Sequence, residues 1–351
     1  MKVIILSPRR IGIGGFETVA QTIMTNIKKP VEMKLIILNG SEHVEWLENL
    51  DHEFVESKYK NKHIRLFFNL FKLIKKLMSE KPDIILGLCP YTIFMAKVSS
   101  LFIKNKVSVG LWLHGSFKIW KNKRFFKLAD FYLAVCEEIA DDIKAFIPNK
   151  KNHVYTVYNP VKVANTIIQE PEVPTFVYLG RLEFGYGKRV DDFINALSKL
   201  NGSYRAEIYG TGECLNDLKQ LSHNLGISDK VVFHGWVNDP WLKINKASSL
   251  VLTSDTEGFG MVLVEALVRG LPCISSDCSA GPKEIIEHGS TGFLFPVGEI
   301  NKLAEYMQLF IDKTDYLKDK SYLINSASKF REENIIENIT NALNQEYKAK
   351  P

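Results

Sequence analysis

Short apolar runs recur along the chain at intervals that leave room for a helix between each pair, and this rhythm constrains the fold more than any other feature. The runs are residues 3–6, 35–38, 84–88, 107–113, 132–135 and 154–158, then 175–179, 206–209, 231–233, 250–253, 273–275 and 293–295. Strand-sized segments alternating with helical patterns predict α/β architecture, with parallel sheets covered by helices on both faces. A chain of 351 residues has room for two such domains. The expected division is a first doubly wound domain over 1–160 and a linker over 161–174, where Pro171 and Pro174 interrupt any periodicity. A second doubly wound domain follows over 175–325, and a last helical segment over 326–351 packs back toward the first. That segment is read from apolar residues at Leu323, Ala327, Phe330, Ile335, Ile339 and Leu343.

Composition narrows the class. Apolar residues at 46% and charged residues at 24% are ordinary for a folded protein and exclude disordered or fibrous chains. No apolar run approaches the roughly 18 residues that span a bilayer, and the chain opens directly on a strand, so a cytoplasmic protein is expected. Five cysteines, with no Cys-x-x-Cys pair, read as reduced core residues with no metal site.

The charge is uneven: residues 1–160 carry 25 Lys and Arg against 15 Asp and Glu, whereas the rest carries 20 against 25. A basic first half suggests an anionic partner. Residues 58–76 mix lysines with Phe67, Phe68, Leu70, Phe71 and Ile74, and residues 117–127 repeat the mixture around Phe117 and Trp120. An interfacial helix on an anionic membrane surface fits this pattern, as does a core-facing helix whose lysines reach out to water. Nucleic acid is disfavoured, since no binding motif accompanies the charges.

In open α/β sheets ligands bind beyond the carboxyl ends of the strands, so the residues just after each strand carry the functional information. Gly12-Ile-Gly14-Gly15 follows the first strand; it lacks both the Gly-x-Gly-x-x-Gly pattern and a P-loop lysine, which leaves a tight turn or a close approach to phosphate or sugar. After the strand at 250–253 come Glu257, Gly258, Phe259, Gly260, Met261 and Val262, with Glu265 in an otherwise apolar helical stretch. A carboxylate among apolar neighbours is costly without a partner, and a pair of ligand hydroxyls would serve. After the strand at 175–179, Gly180-Arg181 and Gly187-Lys188-Arg189 place cations in a glycine-rich loop, as a diphosphate clamp requires, although surface charge beside a turn is the plain alternative.

The Glu-x7-Glu spacing of Glu257 and Glu265, Gly180-Arg181-Leu182 with a following lysine, Gly14-Gly15 and Leu113-His114-Gly115 together resemble the retaining nucleotide-sugar glycosyltransferases of the "glycosyl transferases group 1" family. Gly235-Trp236 with Pro240-Trp241, and the 270–278 stretch with Gly281-Pro282, look more narrowly like bacterial lipopolysaccharide core α-1,6-galactosyltransferases. The resemblance implies a GT-B fold, two Rossmann-like domains with an interdomain cleft, the first domain binding acceptor and the second the nucleotide sugar. It implies that Arg181 and Lys188 hold the departing diphosphate and that Glu265 accepts the ribose hydroxyls. Glu257 with the amides from Gly258 to Val262 would hold donor sugar and phosphate, Gly15 would approach the phosphate, and His114 would touch the sugar. The base would lie near Gly210, Gly212, Gly235 and Trp236. Family members usually place the lysine five residues after the arginine; here Lys188 stands seven after Arg181, so Lys188 and Arg189 compete for the role.

The expected activity is therefore hexose transfer, of the galactose or glucose class, from a UDP-sugar to a cell-surface glycan or glycolipid. No cofactor is expected and, since no Asp-x-Asp occurs, no metal. The enzyme is expected in the cytoplasm or peripherally on the inner face of the cell membrane. A nucleotide-sugar epimerase is disfavoured by the Glu-x7-Glu pattern, and a non-catalytic partner subunit by the presence of Arg181, Lys188 and both glutamates.

Overall fold

The computed structural model describes residues 1–12, 14–314 and 317–349. The chain forms two compact units, one of residues 1–160 with the segment from Glu332, the other Val161–Arg331.

In the first unit, β1 (Lys2–Ser7), β2 (Glu32–Leu38), β3 (His52–Val55), β4 (Ile84–Gly87), β5 (Ser108–Leu113), β6 (Phe131–Ala134) and β7 (Val154–Thr156) form one sheet in the order β3-β2-β1-β4-β5-β6-β7. In the second, β8 (Thr175–Leu179), β9 (Arg205–Tyr209), β10 (Val231–Gly235), β11 (Ser249–Leu252), β12 (Cys273–Ser276) and β13 (Gly292–Phe295) form another in the order β10-β9-β8-β11-β12-β13. Every pairing is parallel. Central strands are continuous apolar runs because helices cover both faces: Val3 to Leu6 and Phe176 to Tyr178 are wholly buried.

One strand, β3, is not anticipated from the sequence. It is an edge strand interrupted by Glu53, whose carboxylate sits 2.7 Å from Lys34 Nζ, so it lacks an apolar run. The stretch 161–174 belongs to the second unit, where Ile168 is buried and donates its N–H to Arg269 O at 3.0 Å, and Gln169 N–H donates to Asn245 O at 2.9 Å. The C-terminal apolar pattern divides into helix Lys320–Ser326, a 3-10 turn Ala327–Phe330 and helix Glu332–Lys348. Arg331 between the last two has extended backbone, and the final helix belongs to the first unit. There it buries Ile335, Ile339 and Leu343, and Glu346 accepts hydrogen bonds from His153 Nδ1 at 2.8 Å and the Tyr155 hydroxyl at 2.7 Å. No helix among the described residues is long and apolar enough to cross a membrane.

Candidate active site

The strand order of the second sheet reverses direction between β8 and β11, the topological switch point beyond whose strand carboxyl ends ligands bind in open α/β sheets. Backbone and side-chain bonds stitch the two loops together. Asp255 N–H donates to Gly187 O at 2.8 Å, Gly187 N–H to Asp255 Oδ2 at 2.9 Å, and the Thr253 hydroxyl to Lys188 O at 2.9 Å. Across this seam Lys188 Nζ lies 2.6 Å from Glu257 Oε1, which also accepts from the Ser254 hydroxyl at 2.6 Å. Both charged side chains are largely withdrawn from solvent, at 19% and 11% exposure.

The neighbouring cations are placed differently. Arg189 is turned into the protein, its Nε on Asp192 Oδ2 at 2.7 Å and its Nη1 3.4 Å from Asp255 Oδ1. The Asp192 side chain is only 4% exposed, and burial raises its pKa in spite of that guanidinium. Arg181 points outward at 71% exposure, with Nη1 3.2 Å from Glu183 Oε1. Lys188 and Glu257 are thus brought together, whereas Arg181 joins neither.

After β11 the chain turns through Gly258, buried Phe259 and Gly260, whose φ of 91° admits little but glycine, into helix Met261–Leu267. Phe259 packs edge-on against Phe330, with centroids 5.2 Å apart. Met261 and Val262 open the helix half-buried. Glu265, one turn in, is half-buried too, and it is partnered within the protein. Trp241 Nε1 donates to its Oε2 at 2.9 Å, and Arg269 Nη1 donates to its backbone carbonyl at 2.8 Å. Burial raises the Glu265 pKa; the Trp241 hydrogen bond and the Arg269 charge pull it down, and Asp239 pushes it up. Sequence reasoning singled out Glu265 but not these two partners. A signal was present, since Arg269 stands one helical turn after Glu265 and Trp241 follows a turn-forming Asp239-Pro240.

Glycines bring the β8 and β9 loops together. At Gly210, φ 147°, a Cβ would lie 1.8 Å from Gly180 O, and at Gly212 one would lie 2.1 Å from Leu182 O. Gly235, φ 71°, ends β10 in open space, and Trp236 after it is 55% exposed. Beside them His234 stacks on Tyr209 at 4.2 Å, and the Tyr209 hydroxyl donates to Glu207 Oε2 at 2.6 Å.

The first sheet has its own switch point, between β1 and β4. The loop after β1 contains Gly12, where a Cβ would lie 2.2 Å from His43 O. It leads into helix Gly15–Asn26, which starts at Gly15 with no side-chain cap and buries Phe16 at once. His114, just after β5, packs against Trp112 with the rings tilted by 53° and centroids 4.4 Å apart, and meets the Phe16 ring edge-on at 5.0 Å. Both of its ring nitrogens are buried without a hydrogen-bond partner. Burial, assisted by the Arg10 charge, pulls its pKa down to about 3, so the imidazole is neutral. Arg10 itself lies 3.7 Å over the Phe16 ring. Among the described residues no cluster of His, Cys, Asp and Glu is arranged to hold a metal ion.

Comparison with known proteins matches this architecture. The model for "Glycosyl transferases group 1" matches residues 165–330, and that for "Glycosyltransferase Family 4" matches residues 13–165. The chain is 30% identical over 324 residues to the lipopolysaccharide 1,6-galactosyltransferase of Escherichia coli (strain K12), covering 89% of each. The apo structure of WaaB, a lipopolysaccharide outer core galactosyltransferase, aligns with a TM-score of 0.88 at 26% identity, over 99% of this chain and 100% of that one. Anabaena HepE in complex with UDP shares the fold, with a TM-score of 0.83 at 19% identity over 98% of this chain and 100% of that one. The chain belongs to the glycosyl transferases group 1 family and is a hexosyltransferase of the GT-B fold.

Proposed function

We propose that this enzyme transfers a hexose of the galactose or glucose class from a UDP-sugar to a cell-envelope glycan or glycolipid, with retention at the anomeric carbon and without a metal. The observation that carries the reading is the Lys188–Glu257 pair at the β8/β11 switch point, with Glu265 on the helix that follows. The name of the Escherichia coli relative supports the galactose and lipopolysaccharide side of it. HepE, also solved with UDP-glucose, supports a uridine nucleotide.

In this reading the C1–O bond to the diphosphate breaks while negative charge grows on the leaving oxygen. Lys188 and Arg181 stabilise that charge, which is the main electrostatic demand of the reaction. Lys188, not Arg189, takes the role, because Arg189 is committed to Asp192 and Asp255. Glu257, its Oε1 shared with Lys188 and Ser254, orients the sugar hydroxyls, and Glu265 accepts the ribose hydroxyls. Gly15 lets the first unit's backbone approach the phosphate, and the unpartnered nitrogens of neutral His114 meet a sugar hydroxyl. The acceptor oxygen bonds to C1 on the face the diphosphate leaves, and its proton passes to the departing phosphate oxygen.

Thermal-shift binding against a nucleotide panel, in EDTA, tests the donor site. A ligand at about 100 times its Kd stabilises by about 2.7 kcal/mol, a shift of several degrees. UDP and one UDP-sugar should stabilise the protein, and Glu265→Ala and Arg181→Ala should each lose the response. No response to any nucleotide overturns the reading.

The reading extends to an anionic membrane face on the first unit. Helix Lys62–Glu80 buries Leu73 and Leu77 and leaves Ile64, Phe67, Phe71 and Met78 in water, with Phe67 66% exposed. Lys75 shares that face, 4.5 Å over the Phe71 ring, and Lys72 borders it with its Nζ donating to Glu56 O at 2.6 Å. Lys76 does not contribute, because it is bound to Glu53 and Glu80. Each phenylalanine buried in lipid is worth about 1.5–3 kcal/mol. The protein should therefore sediment with phosphatidylglycerol-rich vesicles and not with pure phosphatidylcholine, and Phe67→Asp with Phe71→Asp should abolish it. Equal binding of wild type and double variant would exclude this face.

A further inference from the structure

We propose that Trp241 is a positioning residue for donor recognition: its indole N–H fixes one oxygen of the Glu265 carboxylate so that the other, Oε1, is held ready for the ribose diol of the nucleotide. The inference rests on the reading of Glu265 given above and adds a residue to it.

The geometry singles out Trp241. It is 7% exposed and sits in the 3-10 turn Pro240–Leu242, whose first turn is capped by Asp239 Oδ1 accepting Trp241 N–H at 3.1 Å. The Arg269 guanidinium lies 4.6 Å over the indole ring while Nη1 of the same arginine holds the Glu265 carbonyl at 2.8 Å. Backbone and ring face are therefore both pinned, and the one polar atom of the indole is aimed at Glu265 Oε2, 2.9 Å away. Among the described residues no other side chain donates a hydrogen bond to that carboxylate.

The chemistry gives this arrangement a use. An unheld glutamate loses up to about 2 kcal/mol of side-chain entropy when a ligand orders it. A donor already in place removes part of that cost from binding, which is preorganisation. An indole N–H suits the task because it donates and cannot accept, so it leaves the remaining lone pairs of the carboxylate open to two hydroxyls. A lysine or arginine in its place would compete with the ligand as a full counter-charge.

The charged groups facing Glu265 are Arg269, which favours the carboxylate, and Asp239, which disfavours it; burial disfavours it further. Without the indole N–H the ionised form loses a stabilising partner, so the Glu265 pKa rises and nucleotide binding fails at a higher pH on acidification.

Calorimetry of the full chain with three ligands tests the assignment: UDP, 2′,3′-dideoxy-UDP and inorganic pyrophosphate. A hydrogen bond to a charged group is worth about 1.5–3 kcal/mol, so wild type should prefer UDP to the dideoxy analogue by about tenfold or more. In Trp241→Phe that preference should shrink several-fold, pyrophosphate affinity should stay unchanged, and the acid limb of UDP binding should move to higher pH. Equal weakening for all three ligands with an unmoved acid limb would reduce Trp241 to packing and overturn the proposal. Lack of discrimination in wild type would instead overturn the reading of Glu265. A readout that needs no variant is the ¹⁵N-labelled Trp241 indole resonance, which should shift with UDP and not with pyrophosphate; a resonance indifferent to UDP would also overturn the proposal.

Discussion

Lys188→Ala is expected to lower kcat/KM for sugar transfer by about 10²- to 10³-fold, the usual effect of removing one preorganised group that meets developing charge. Arg189→Ala is expected to lower the melting temperature and leave kcat within a few-fold of wild type. The contrast follows from where the two side chains point. Lys188 Nζ is 2.6 Å from Glu257 at the switch point, whereas Arg189 is the partner of Asp192, whose side chain is 4% exposed. Lys188→Ala also strands Glu257, and loss of one member of a fully buried pair costs about 3–5 kcal/mol. The residual exposure of this pair makes the cost here smaller. Lys188→Ala with Glu257→Gln, compared with Glu257→Gln alone, separates the two effects, because both remove the carboxylate and only the first removes the cation. Initial rates and melting curves on all four variants check the assignment. Recovered stability with activity still lost is the expected result, and an inactive but stable Arg189→Ala would transfer the role to Arg189.

Much of this was legible in the residues. The parallel sheets were, because buried parallel strands have to be continuous apolar runs, and all twelve runs in the sequence overlap strands by two residues or more. Edge strand β3 was not, since an edge tolerates charge and shows no such run. Glu257 and Lys188 were legible as unusual residues in post-strand loops, and Glu265 as a carboxylate in an otherwise apolar helical stretch. Their pairing was not, because Lys188 and Glu257 lie 69 positions apart and meet only through the strand order. The same holds for Trp241 and Glu265, 24 positions apart, and for His114, whose orphaned nitrogens follow from the packing of Trp112 and Phe16 around it. Lys188 and Arg189 likewise differ in side-chain direction, the one toward Glu257 and the other toward Asp192 and Asp255, which spacing in a glycine-rich loop does not encode.

Gly210→Ala should be among the most damaging single-methyl additions to this chain, and Gly235→Ala among the mildest at a left-handed position. Both glycines have positive φ, 147° and 71°, where an L side chain costs of order 1–3 kcal/mol. They differ in what a Cβ meets. At Gly235 there is nothing within 4 Å, so the cost stops at backbone strain, about 1 kcal/mol. At Gly210 the Cβ would sit 1.8 Å from the carbonyl oxygen of Gly180, a backbone atom that cannot rotate aside. Gly180 N–H in turn donates to Tyr209 O at 3.0 Å, and Gly210 N–H to Gly235 O at 2.8 Å. Relief therefore means parting the β8 and β9 loops and loosening the segment that begins with Arg181. Overpacking adds about 1–3 kcal/mol to the strain, a fall in melting temperature of about 2–4 °C for each kcal/mol in a domain of this size. Differential scanning fluorimetry with and without UDP distinguishes the two variants. Gly235→Ala should keep the UDP-induced shift, and whatever Gly210→Ala protein folds should lose it, because the loop displaced by the new methyl is the one that carries Arg181, proposed above to meet the diphosphate. Equal melting temperatures for the two variants would mean that the β8 and β9 loops do not approach as closely as their glycines permit.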